Sequence, residues 1–382
     1  MERWAAFRDE FPVARRRTYL ISASLGPLSR PSRRLAEEHL DLWERLGPEE
    51  LWFEHGFPRL EECRSSFARL IGAGPHEIAI VPSVSSGLSS VASCLDFDLR
   101  PKVVLSAMDF PTNHHVWLAQ HRRGARLDVA PSSDGIGVEA GELTGRIDGS
   151  TAIVNLNRVL YESSWIMDVP PVVEAAHRHG ALVVLDDFHG TGIVPLDVHR
   201  LEVDFLLSGA LKWLCGGQGI AFLYVREGLI ESLEPVVVGW FGTQNPFGFG
   251  RSELHFRSDA RRFESGTYAL PQAWTASGGM ELILEAGVDS IRAHSQSLTA
   301  EVIRRADALG LDVLSPRAPE RRGGLVRLRM PGGRAGAQRI LHALLERDVV
   351  LDARGDALRI SPHFFNDVTD IDRCFTELQR LL

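Results

Sequence analysis

Three segments of the chain place reactive side chains where a folded protein can use them. In ALVVLDDFHGTG (181–192) an apolar run ends in Asp186 and Asp187. Read as a buried strand, it delivers carboxylates to the carboxyl edge of a sheet, where open α/β sheets bind ligands. A carboxylate that merely caps the turn after the strand fits the same residues. In LLSGALKWLCGGQGIAFLYV (206–225) Lys212 follows another apolar run and precedes a glycine-rich turn. Lysine is seldom buried without a partner, so Lys212 either snorkels to water or has a lowered pKa, as Schiff-base lysines do. In EIAIVPSVSSGLSSVASCL (77–95) a strand-like run leads through Ser83, Ser85, Ser86 and Gly87 into a small-residue helix. Hydroxyls and free N–H groups at a helix start form a phosphate site, and serine there is equally a plain helix cap.

The elements that must hold these groups are legible as a pattern. Apolar, β-branched runs at 77–81, 102–106, 126–130, 152–156, 181–186, 203–208 and 219–225 alternate with helix-spaced segments such as 169–180, which stops at Gly180. Near-continuous apolar strands alternating with helices predict an α/β fold, its mostly parallel sheet covered by helices on both faces. Residues 226–268 form an irregular stretch rich in Gly, Phe and Arg, of a kind that is functional or interfacial. A long helix is predicted over 270–309, followed by strand (324–330), helix (337–347) and strand (357–361). The division that follows is an N-terminal segment (1–50) packing on the small domain, a large domain (51–268), and a long helix with a smaller α+β domain (269–382).

Composition narrows the classes. The chain has 382 residues, with 42 basic against 50 acidic side chains and a net charge of −8, which argues against a nucleic-acid binder. No apolar run reaches the ~18–20 residues of a membrane helix, and the N-terminus MERWAAFRDEFPVARR lacks the apolar core of a secretory signal. Four scattered cysteines form no CxxC pair, so neither a disulfide framework nor a zinc site is expected, and a cytoplasmic setting fits.

Taken jointly, a strand-end carboxylate, a lysine after the next strand and a phosphate cradle meet the needs of pyridoxal phosphate. The lysine forms the imine, the carboxylate keeps the pyridine nitrogen protonated, and the helix start holds the phosphate. The order and spacing of these groups resemble the class V aminotransferase superfamily of fold-type I pyridoxal phosphate enzymes, and most of all its kynureninase-like subgroup. The resemblance rests on D-x-x-H-G-x-G-x-x-P-L-D at 186–197 and K-W-L-x-G-G-x-G at 212–219, and extends from YLISASLGPLSRP (19–31) to LRISPHFFN (358–366). It implies that Lys212 is the catalytic lysine, with Ser85, Ser86, Phe110, Asp186, His189, Trp240 and Thr267 at the cofactor. Within that set Phe110 stacks on the cofactor ring, and Thr267, in RFESGTY (262–268), reaches the phosphate of a neighbouring subunit in a homodimer with shared sites. Arg359 is implied to clamp the substrate α-carboxylate, a task suited to a guanidinium fork, with Asn113 and Arg158 also lining the substrate side. Read without the resemblance, Trp240 and Phe110 fit as ordinary core aromatics and His189 as a structural turn residue.

Two positions depart from the kynureninase pattern. Leu211 stands where that group has Tyr before the lysine, and Asn113 stands where it has an acid. A leucine cannot shuttle the proton that a phenol can. The expectation is therefore an enzyme that acts on an L-α-amino acid by transamination or lyase chemistry. Kynureninase-type hydrolysis of a Cβ–Cγ bond is the alternative, and a non-catalytic binding protein the last resort. No cysteine lies between Cys215 and Cys374, so a nucleophilic cysteine on a C-terminal loop is not expected.

Overall fold

The computed structural model describes residues 2–382 and forms twelve strands. In chain order they are β1 (Thr18–Tyr19), β2 (Ile78–Val81), β3 (Lys102–Ser106), β4 (Arg126–Ala130), β5 (Thr151–Asn157), β6 (Leu182–Asp186), β7 (Phe205–Gly209), β8 (Ala221–Val225), β9 (Val326–Arg329), β10 (Val349–Val350), β11 (Asp352–Arg354) and β12 (Ala357–Ile360). Seven of them make the central sheet in the order β2-β8-β7-β6-β5-β3-β4. Only β8 runs against its neighbours β2 and β7; the others share one direction. Strands β5, β7 and β8 are buried along their whole length, as continuous apolar runs between helical layers must be. The carboxyl ends of β2, β3, β5, β6 and β7 therefore fall on one edge.

The mostly parallel sheet expected from the sequence is present, and two details differ. The predicted helix over 270–309 is two helices, Leu270–Ala286 and Val288–Ala308, broken at Gly287 with φ of 74°. The apolar spacing continues through the break, so periodicity alone conceals it. In the C-terminal region the strand at β12 is the middle of a three-stranded sheet, β11-β12-β9, whose hairpin turns at Gly355–Asp356 and sets Asp352 directly opposite Arg359. A separate core of Leu298, Val302, Val326, Leu328, Ile340, Leu358, Ile360 and Phe375 holds this region together.

The segment 1–50 divides between two neighbours. Its first part meets the C-terminal region: Arg8 forms a two-point ion pair with Asp370 (2.5 and 2.9 Å), Phe11 packs on Phe364 and Phe365, and β1 pairs with β10. The helix Arg30–Arg45, capped by Ser29, lies instead along Leu270–Ala286, which also packs on Phe57–Ile71. Between the two parts, Gly26 donates its N–H to Leu211 O (2.8 Å). A Cβ at Gly26 would fall 2.1 Å from Lys212 O, so only glycine permits this contact. The N-terminal loop thus props the backbone of Lys212.

Candidate active site

Asp186 ends β6 beside Asn157, its partner in register at the end of β5. Both residues are buried. One Asp186 oxygen accepts Nδ2 of Asn113 (3.1 Å) and the other accepts the N–H of Phe188 (3.0 Å). Asn113 Nδ2 also donates to Asn157 Oδ1 (2.9 Å), so both of its acceptors dictate the amide orientation and leave Asn113 Oδ1 buried without a partner. Among the described residues no lysine, arginine or histidine forms an ion pair with Asp186. The adjacent Asp187 is matched: Arg158 grips it with Nε (2.6 Å) and Nη2 (2.9 Å), and Thr191 Oγ1 donates to it (2.6 Å). Burial still pushes the Asp187 carboxyl up, against the pull of that guanidinium.

Lys212 lies three residues past β7, buried, with Nζ 2.6 Å from His189 Nε2 and 4.0 Å from the centre of the Phe188 ring. The Phe110 ring stands 5.7 Å away on another side. Loss of water pulls the ammonium down to about 7; Asp186 opposes that shift, while Arg359 and Arg354 reinforce it. His189 is driven well below its usual range, first by burial and then by the positive charge of Lys212, and is neutral. Asp109, just before Phe110, is pushed up to about 7 by burial, with repulsion from Asp186 adding to the shift. Nothing in the run SAMDFPTN distinguishes this aspartate from a turn residue, and it escaped the sequence reading. Tyr161 also closes the pocket, its ring edge-on to Phe110 at 5.1 Å.

The serine turn caps Val84–Ser93 and lies at the same edge. Ser83 and Ser86 satisfy each other in a capping box, Ser83 Oγ accepting the Ser86 N–H (3.1 Å) and Ser86 Oγ accepting the Ser83 N–H (3.0 Å). Ser86 thus shapes the turn through both its N–H and its hydroxyl. The N–H groups of Val84 and Ser85 remain, as first-turn donors do, with the Ser85 hydroxyl 3.2 Å from Thr112 Oγ1.

The two further residues expected on the substrate side, Arg158 and Asn113, have partners within the fold. Arg158 is buried beneath the pocket, its guanidinium taken by Asp187 and the carbonyls of Val194 and Pro195. Asn113 is buried beside Asp186 and donates Nδ2 to it. Both arrangements stem from long-range pairing that spacing along the chain does not reveal. Arg359 is buried, joined to Asp352 through Nε (2.7 Å) and Nη2 and to Tyr161 O through Nη1 (2.5 Å). Trp240 packs with Phe241, Phe247 and Phe249. Thr267 is exposed and lines a cavity of about 190 Å³ with Val81, Pro82 and Gly219. Among the described residues neither side chain bonds to Lys212 or Asp186.

An amine with a lowered pKa, a buried carboxylate lacking a cation, an unpaired amide oxygen beside it and free N–H groups at a helix start form one donor and acceptor set. It fits an aromatic cation that carries an aldehyde and a phosphate, as pyridoxal phosphate does. The chain belongs to the aminotransferase class-V family, whose pattern matches residues 57–372. Its members are pyridoxal phosphate enzymes, and this chain is one of them. Among similar proteins, an uncharacterized aminotransferase of Bacillus subtilis is 32% identical over 97% of this chain and 96% of its own length. Isopenicillin N epimerase of Streptomyces clavuligerus is 29% identical over 95% and 94%, and kynureninase of Geobacillus thermodenitrificans 28% over 93% and 86%. In structure, an apo cysteine desulfurase of Thermococcus onnurineus superposes with a TM-score of 0.88 at 20% identity, over 98% of this chain and 96% of that one.

The lowered lysine pKa has a measurable consequence. The neutral amine is the form that attacks an aldehyde, and for Lys212 it predominates above about pH 7. The rate at which apo-protein takes up pyridoxal phosphate should rise with pH up to about 7 and then level off, as followed by absorbance of the bound form. A rate still climbing toward pH 10, as for an ordinary lysine near ~10.4, contradicts this environment.

Proposed function

We propose that the chain acts on an L-α-amino acid by moving a proton at Cα, completed as transamination or lyase chemistry. The observation that carries this reading is the pairing of unmatched Asp186 with the buried amine of Lys212. Bound pyridoxal phosphate supplies the electron sink that weakens the bonds at Cα. Asp186 keeps the pyridine nitrogen protonated, and Asn113 and the Phe188 N–H hold its carboxylate for that task. Val84 and Ser85 offer N–H groups to the phosphate. Arg359 takes the α-carboxylate and so fixes which Cα substituent faces Lys212. Once free, Lys212 serves as the base that takes the Cα proton, and its lowered pKa suits that role near neutral pH. Phe110, Phe188 and His189 keep water from the amine. The similarity to an aminotransferase supports transamination as the outcome.

Kynureninase-type cleavage is the second reading, favoured by the kynureninase similarity and by one phenol at the pocket. Tyr161 is that phenol, yet its hydroxyl donates to Glu162 (2.8 Å) and burial raises it to about 12. Together with Leu211 this leaves no phenol poised for the cleavage step. The purified enzyme should transfer the amino group of an L-amino acid to 2-oxoglutarate or pyruvate, and should release little anthranilate from L-kynurenine. Anthranilate formed at an ordinary enzymatic rate, on the order of 1–10 per second, would replace the first reading by the second.

The working unit in this proposal is a cytoplasmic homodimer with shared sites. Its support is the stretch Val236–Phe249, where Val236 is 75% and Phe249 67% exposed beside Trp240 and Phe247. An apolar surface of this kind marks an interface. Among the described residues no helix is long and apolar enough to cross a membrane. Mixing inactive Lys212→Ala chains with inactive Thr267→Ala chains should restore part of the activity, since one hybrid site then holds both native residues. A fully active monomer at micromolar concentration contradicts the shared site.

A further inference from the structure

Arg359 is not presented to the pocket by packing alone. It sits on β12 opposite Asp352 on β11, and that register turns the two side chains to one face of the hairpin. Asp352 takes Nε–H and one Nη2–H of Arg359, the side-on face of the guanidinium. Tyr161 O takes one Nη1–H. A guanidinium has five N–H donors, so one remains on each terminal nitrogen. These two donors are left for a ligand, and a guanidinium binds a carboxylate through such pairs. Arg354, about half exposed, stands 3.6 Å from the same Asp352 carboxylate, so one acid anchors two cations beside the pocket. Through Tyr161 the guanidinium adjoins the pocket: the Tyr161 ring stands 6.4 Å from that of His189, whose Nε2 meets Lys212 Nζ.

We propose that Asp352 is the positioning residue for substrate recognition: it fills the side-on face of Arg359, so that only the remaining pair of donors is offered, aimed at the α-carboxylate of the incoming amino acid. This rests on the reading of Arg359 as the carboxylate clamp. An anion beside an anion site ordinarily weakens it by repulsion. Here the geometry makes the opposite prediction, because an unheld guanidinium on a long side chain spends most of its time misaimed. A shift of about 1 Å at such a contact is worth up to about a hundredfold.

The test compares two probes that react with the pyridoxal phosphate of the loaded enzyme and need no knowledge of the natural substrate. Aminooxyacetate carries a carboxylate, whereas methoxyamine does not. The ratio of their second-order rates of oxime formation, followed by absorbance, reads carboxylate recognition alone. Wild type should favour aminooxyacetate, and Arg359→Ala should abolish that preference. Asp352→Asn should lower the ratio about tenfold or more, and Asp352→Glu should recover part of it. Thermal unfolding of each variant separates lost aim from lost fold, and Asp352→Glu carries the test if Asp352→Asn is unstable. A ratio unchanged or raised in Asp352→Asn, with the preference still lost in Arg359→Ala, overturns the role of Asp352 and leaves the clamp intact. A preference that survives Arg359→Ala overturns the clamp, and the proposal with it.

Discussion

The structure depends on a carboxylate buried without a cation. Removing a charge from water is costly unless an opposite charge or strong donors replace the lost hydration. Asp187 meets that demand with Arg158, whereas Asp186, its neighbour in the chain, has only an amide and one backbone N–H. The unmet demand lies at the edge of the sheet, facing the amine of Lys212. A ligand that brings a protonated ring nitrogen there neutralises the acid, and cofactor binding and site stability are linked for that reason.

Everything around this acid serves to keep it available. Asn113 and Asn157 fix its orientation through an amide chain with no ionisable member. Asp109 nearby is pushed toward the protonated form, which limits the negative charge stored at one sheet edge. Opposite, Lys212 is held by its backbone rather than by a counter-ion: the Gly26 loop abuts its carbonyl, and the rings of Phe110 and Phe188 stand with His189 around its amine. The second anchor is the β11–β12 hairpin, which brings Arg359 to the carbonyl of Tyr161 in the loop after β5. Chemistry at one carbon thus draws on strand ends scattered from residue 83 to residue 359.

The sheet was legible because each of its strands is a local apolar run, and five of the seven predicted runs end within one residue of the observed strands at both termini. Lys212 and Asp186 were legible because they follow such runs and sit in recognisable motifs. What escaped depends on distant partners. No local signal shows that Asp187 will capture Arg158. Asn113 was placed on the substrate side because its sequence position says nothing of the direction of its amide. Ser86 resembled a ligand because a capping box and a phosphate cradle share the same residues. The break at Gly287 was hidden by apolar spacing that is compatible with one helix or two.

The most direct measurement is nuclear magnetic resonance of the enzyme loaded with pyridoxal phosphate carrying nitrogen-15 in the ring. The shift of that nitrogen reports its protonation state, and the account predicts a protonated ring in the wild type. Asp186→Asn should move the signal to the neutral position, while Asp187→Asn should leave it protonated. A ring still protonated in Asp186→Asn, or neutral only in Asp187→Asn, would show that the unmatched carboxylate of β6 is not the group on which the site is built.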